Sequence, residues 1–358
     1  MLLILAACGE PEPIPLGFVG GVSGRVADLG LSGRDGALFA IEQHNAAGGI
    51  DGRLVQLLVR DDHQDPDAAR RAVTDLIDRD VAAVIGPMTS AMAMATVPLV
   101  DRHRLLMVSP TVTTSRLTGK DDFFFRVIGT TREYARENAG YQYRIGIRRV
   151  AAVLDAGNAA YSRDWMADYR QAFEQLGGTV VAELEFVSSP GVDFLALARQ
   201  LLDYRADGIL MIANSLDAAL ICQQIRKLDR EVRLAASEWA STERLISLGG
   251  RAVEGIIIAQ FFDRADPSPS YQRFKAAYHQ RYGRDPGFGD LAGYDATRVV
   301  LEALAHQPDG GPRLKQTVLD IGRVRGAQGW LAFDRFGDSR RPTYITTVRD
   351  GHFVVLER

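Results

Sequence analysis

Short β-branched runs alternate with amphipathic helical stretches along most of the chain, and the alternation begins twice. In the first run, Ile14–Val19, Leu54–Val59, Val81–Ile85, Leu105–Val108 and Phe123–Ile128 read as strands. Between them lie helical patterns: Gly33–Ala47 with Ala37, Leu38 and Ile41 inward, a stretch opening at Pro66 with Ala69, Val73, Leu76 and Ile77 on one face, and one with Ala93, Val97 and Val100 at i, i+4, i+7. Near residue 130 the pattern restarts. Val150–Leu154, Thr179–Phe186, Gly208–Ile212, Val232–Ala236 and Val253–Phe262 are strands, and Tyr161–Gln175, Phe194–Leu202 and Leu216–Leu228 are helices, the first with Trp165, Tyr169, Phe173 and Leu176 inward. A helix after each strand is the crossover that parallel strands need. The expected fold class is therefore α/β, with two similar doubly wound parallel-sheet lobes. The tail changes character. Tyr271–Tyr282 and Asp290–Leu304 are helical, whereas Gly329–Phe333 and Tyr344–Leu356 are extended, the latter turning at Asp350-Gly351 as a hairpin.

With 358 residues, 46% hydrophobic and 24% charged, the chain has material for two substantial cores. A net charge of −3, with no run of Lys and Arg, gives nucleic acid no footing. No apolar segment is long enough to span a bilayer. Catalytic signatures are missing: there is no G-x-S-x-G elbow, no H-E-x-x-H, and no paired Cys and His. The glycine-rich loop Gly20-Gly21-Val22-Ser23-Gly24 does not fit G-x-G-x-x-G and carries no Walker lysine, so no nucleotide cofactor is expected. Asp61 and Asp62 precede Asp65-Pro66, which fits a helix N-cap with proline in the first turn better than a metal site, since no further ligands lie nearby. Of the two cysteines, Cys222 falls in a helical pattern as a buried free thiol. Leu5-Ala6-Ala7-Cys8 resembles the bacterial lipobox, which makes Cys8 a candidate lipidation site, residues 1–13 a leader remnant and tether, and the cell envelope the expected location.

The stretch from Ile85 to Thr114 brings two hydroxyl-rich loops to the carboxyl edge of neighbouring strands. In open α/β sheets that edge is where ligands bind. Thr89 and Ser90 stand at a helix start, where free N–H groups suit an anion such as a carboxylate. Each residue taken alone serves equally well as a helix cap.

Five segments then resemble one family: Asn45-Ala46-Ala47-Gly48-Gly49-Ile50, Asp61-Asp62-His63-Gln64-Asp65-Pro66, Ile85-Gly86-Pro87, Ser109-Pro110 and Gly293-Tyr294-Asp295-Ala296. Their order and spacing resemble type I periplasmic solute-binding proteins, close to the leucine/isoleucine/valine-binding proteins of ABC importers. The resemblance implies two lobes joined by three crossovers, near residues 130, 260 and 335, with a ligand held in the cleft by hinge closure. On this basis residues 14–130 with 262–335 form one lobe, and 131–261 with 336–358 the other.

The same resemblance implies roles for particular residues. Ser90 and Thr113, with the backbone of Thr111, match the groups that hold the ligand's α-carboxylate. Tyr161 matches an aromatic that closes over the ligand, and Glu238 the acid that pairs with its α-ammonium. Leu29, Met88 and Trp239 would line the specificity end. Thr131 and Ser215 stand where relatives carry an acid and a tyrosine, a departure that weakens the ammonium side. For Glu238 a solvated loop acid is the competing reading, for Tyr161 packing on its own helix, and for Arg25 either a second anionic group or plain solvation. The expected activity is non-enzymatic: a monomeric, lipid-anchored receptor delivering an amino acid or related small carboxylate to an inner-membrane ABC permease. A ligand sensor of the same fold, regulating a protein partner, is the alternative.

Overall fold

The computed structural model describes residues 11–357; Cys8 and the lipobox-like segment lie outside the described residues. Five strands form the first sheet: β1 (Ile14–Gly20), β2 (Val55–Asp61), β3 (Val84–Ile85), β4 (Met107–Ser109) and β5 (Phe124–Arg126). All pair in parallel, in the order β2-β1-β3-β4-β5. The second sheet repeats this arrangement with β6 (Arg149–Asp155), β7 (Thr179–Phe186), β8 (Gly208–Ile212), β9 (Arg233–Ala236) and β10 (Ile257–Gln260) in the order β7-β6-β8-β9-β10. A ribbon follows from β11 (Arg323–Gly326) and β12 (Gly329–Ala332), and the hairpin β13 (Tyr344–Arg349) and β14 (His352–Glu357) then extends the second sheet antiparallel beyond β10.

Helices α1 (Ala27–Ala46), α2 (Pro66–Asp78) and α3 (Ser90–His103) cover the first sheet. Helix α4 (Thr131–Arg144) follows the first crossing and packs with α5 (Ala159–Gln175) on the second sheet, where α6 (Phe194–Asp203), α7 (Ser215–Leu228) and α8 (Glu243–Gly249) also lie. After β10 the chain returns, and α9 (Pro269–Tyr282), α10 (Phe288–His306) and α11 (Arg313–Ile321) join the first lobe. The chain thus crosses three times between two doubly wound parallel-sheet lobes.

Several boundaries differ from the sequence reading for identifiable reasons. Helix α1 starts six residues before Gly33 and runs through Gly30, Gly33 and Gly36. These glycines are there for close approach: a Cβ on Gly36 would sit 1.9 Å from the Asp290 carbonyl oxygen of α10, and one on Gly293 would sit 2.1 Å from that of Gly33. The strand read as Val253–Phe262 begins only at Ile257, because Gly255 turns with φ +75°. Helix α4 opens at Thr131 and Thr130 caps it, with the Glu133 side chain accepting from the Thr130 N–H in a capping box. Leu176 is 44% exposed, one residue past the end of α5. Asp65 caps α2 through a 2.7 Å bond from Ala68 N–H with Pro66 in the first turn, while Asp61 and Asp62 accept from loop N–H groups of Val22, His63 and Gln64. Cys222 is fully buried, and burial pushes its thiol up to about 12.

Gly293-Tyr294-Asp295 thus has a packing role. Gly293 lets α10 seat on α1. The buried Asp295 carboxylate pairs with Arg341 at 2.7 Å and accepts from Ala327 N–H at 2.7 Å, which ties α10 to the β11–β12 turn and to the third crossing. Gly293→Ala is expected to force the two helices apart and cost about 2–3 kcal/mol, read as a lower urea midpoint with an unchanged m-value.

Candidate functional site

In each sheet the strand order reverses once, between β1 and β3 and between β6 and β8. Loops leaving the carboxyl ends of strands beside these points are where doubly wound sheets take ligands. The lobes are closed on one another, and these loops enclose a narrow cavity between them. The first lobe contributes Met88, Thr89 and Ser90 after β3, Thr111 after β4, Leu29 from α1 and Phe288 from α10. The second contributes Asn158 and Tyr161 after β6, and Glu238 and Trp239 after β9.

On the first-lobe side the chemistry is that of a helix N-terminus. Thr89 is the N-cap of α3, yet its hydroxyl does not cap it; it donates to Gln64 Oε1 at 3.1 Å. The first-turn N–H groups of α3 are therefore left to other acceptors. Ser90 opens the helix, and its Oγ accepts from Thr114 N–H at 3.3 Å. The Thr111 hydroxyl donates to the Met88 carbonyl at 2.5 Å, which binds the two loops together.

The second-lobe side holds a buried acid. Glu238 is 2% exposed. Its Oε2 accepts from Trp165 Nε1 at 2.9 Å, while Oε1 has no partner. No cation is among its partners, and burial pushes the carboxyl up to about 7. Glu238 is therefore not a solvated loop acid. The Tyr161 and Ser237 hydroxyls are also buried without a hydrogen-bond partner. Desolvation, with the neighbouring Glu238 charge adding to it, raises the Tyr161 phenol well above its ordinary value. Tyr161 meets Trp239 edge to face, with centroids 5.5 Å apart.

Of the residues read from sequence, Leu29, Met88, Ser90, Thr111, Tyr161, Glu238 and Trp239 line this one cavity. Three do not. The buried Thr113 hydroxyl has no partner, and the Thr113 carbonyl accepts from Thr131 N–H at 2.9 Å. The Thr131 hydroxyl donates to Asp168 at 3.0 Å, and Ser215 donates to Asp28 at 2.6 Å. The Ser215 bond spans the lobes, as does the 2.6 Å bond from Thr242 to the same Asp28 oxygen. Arg25 does not line the cavity and is only partly exposed: it pairs with the fully buried Asp217 at 2.6 Å and donates to Ser188 at 3.3 Å, again across the cleft. Arg116 and Thr114 both reach Asp164 of α5, adding to these lobe-to-lobe bonds. Asn158, Ser237 and Phe288 were not read from sequence. Asn158 stands three residues before Tyr161 at a helix start, and Phe288 follows the glycine that precedes α10, so each had a positional signal.

The family model for periplasmic binding proteins matches residues 13–352. The chain belongs to the periplasmic binding protein family. It is 25% identical to a Leu/Ile/Val-binding protein homolog of Brucella melitensis, over 96% of this chain and 94% of that protein. A leucine-binding protein from Thermotoga maritima superposes with a TM-score of 0.85 at 25% identity, covering 96% of this chain and 97% of that one. A solute-binding protein of an ABC transporter from R. palustris, solved with benzoate, shares the fold with a TM-score of 0.88 at 17% identity, over 96% of each chain. The family is one of periplasmic solute-binding receptors of ABC transporters, not of enzymes. Among the described residues no helix is long and apolar enough to cross a membrane.

A carboxyl raised by burial has a definite stability signature. Unfolded, Glu238 ionises at its ordinary value; folded and unliganded, it holds its proton until about pH 7. Its burial thus costs nothing at low pH, and the cost grows as pH rises through this window. Glu238→Gln should stabilise the ligand-free protein at pH 8 by on the order of 3 kcal/mol at most, read as a higher melting temperature, and leave the melting temperature unchanged at pH 4.

Proposed function

We propose that this protein is an extracytoplasmic receptor of an ABC importer, capturing an amino acid or related small carboxylate in the interlobe cavity by hinge closure. The single observation that carries this reading is the Glu238 carboxyl, buried without a cation beside two unpartnered hydroxyls. Burying a charge without a partner is costly, and an α-ammonium with three N–H donors would supply the partner. The opposite wall offers the start of α3 and the Ser90 hydroxyl to a carboxylate. Leu29, Met88, Trp239 and Phe288 supply apolar surface for a compact side chain. A Leu/Ile/Val-binding relative and a leucine-binding structural neighbour, both at 25% identity, agree with this ligand class. The closed lobes would present the loaded receptor to an inner-membrane permease, and Cys8 would supply the lipid anchor.

One observation favours a second ligand class. A Glu238 that keeps its proton to about pH 7 can instead donate to a hydroxyl, as a phenolic carboxylate would offer. The neighbour solved with benzoate makes aromatic acids a natural comparison.

The two classes carry opposite pH signatures. An ammonium needs Glu238 ionised, so affinity for L-leucine should fall roughly tenfold per pH unit below about 7. Calorimetry in buffers of different ionisation enthalpy should then register proton release on binding near pH 6. A hydroxybenzoate held by the neutral acid should weaken as pH rises above this value instead. A thermal-shift screen of amino acids and aromatic acids identifies the binder. Ser90→Ala and Glu238→Ala should each remove most of the ligand-induced shift; full shifts in both variants would defeat the assignment.

A further inference from the structure

Asn158 occupies the N-cap position of α5, where an Asn side chain ordinarily accepts from its own helix. Here it makes no such bond. Its Oδ1 instead crosses the cleft and accepts from Ala91 N–H, in the first turn of α3, at 2.9 Å. That bond settles the orientation of the amide: with the oxygen on a donor, the NH₂ group is the other arm. Nδ2 makes no hydrogen bond within the described residues, although the side chain is only 5% exposed and lines the interlobe cavity. An amide NH₂ with no protein acceptor, on a residue that lines the cavity, is a donor available to whatever fills it.

We infer that Asn158 is a ligand-binding residue, whose Nδ2 donates to the ligand's carboxylate while its Oδ1 ties the second lobe to the helix that holds the same carboxylate from the first. This rests on the carboxylate reading given above. It changes the logic of closure. Ser90 and the α3 N-terminus grip the anion in either form of the protein, but the Asn158 arm reaches it only when the lobes meet. The anion is thereby clamped from both sides, and the closing lobe recognises both poles of a zwitterion, through Asn158 and through Glu238. The residue type is specific. An aspartate at this position would keep the bond from Ala91 but turn a negative charge towards the ligand's own.

Two variants separate the donor role from the lobe-tying role. Asn158→Asp keeps an acceptor for Ala91 N–H, and Asn158→Ala removes both functions. Binding of L-leucine and of benzoate to the wild-type protein and both variants is measured by calorimetry at pH 8, with ligand-free melting curves as the check on folding. The expected result for a bound carboxylate is a loss of roughly 10- to 100-fold in Asn158→Ala, and a larger loss in Asn158→Asp. An Asn158→Asp protein that binds within threefold of wild type overturns the proposal, because tying the lobes is then all that the side chain does. Wild-type protein that binds neither these probes nor any carboxylate in the thermal-shift screen overturns the carboxylate reading, and the clamp with it.

Discussion

The cleft is built around a carboxyl group held in the interior without a positive partner. Glu238 is anchored on one oxygen by the Trp165 indole and open on the other. Trp165 is itself fully buried and stacks on Tyr169, which stacks on Phe173. The acid is therefore fixed by a column of aromatic rings along α5 and cannot swing out to water. A flexible acid would lose its strain by turning to solvent. This one keeps it until something cationic or hydrogen-bonding enters the cleft.

The rest of the architecture brings that acid opposite a helix start. Both sheets share one strand order, so both present a crevice at the carboxyl ends of their strands. Closing one lobe on the other sets the two crevices face to face. Polarity then divides between them: backbone donors and hydroxyls come mainly from the first lobe, and the acid with its unpartnered hydroxyls from the second.

Much of this was legible in the chain, because its causes are local. Strand-helix alternation comes from periodicity, and α2 announced its start with Asp65-Pro66. The loops after β3 and β4 carried their hydroxyls in plain view, and Ser90, Thr111 and Met88 do line the cavity. What was missed depends on distant partners. Ser215 and Thr131 look like site residues by position, yet their hydroxyls are used on Asp28 and Asp168. Arg25 finds Asp217, 192 positions away. Gly36 takes its meaning from α10, whose backbone comes too close to leave room for a side chain there. Helices α8 and α11 went unread, as did β11, all of them short elements.

The bonds from Arg25, Asp28 and Arg116 across the cleft involve no ligand atom. They are available to the shut arrangement whether or not the cavity is occupied. An empty receptor held shut in this way would be open for only a fraction of its time, and arriving solute would wait for that fraction. Tight retention and slow capture then have one origin, and softening the salt bridges would trade residence time for speed of uptake.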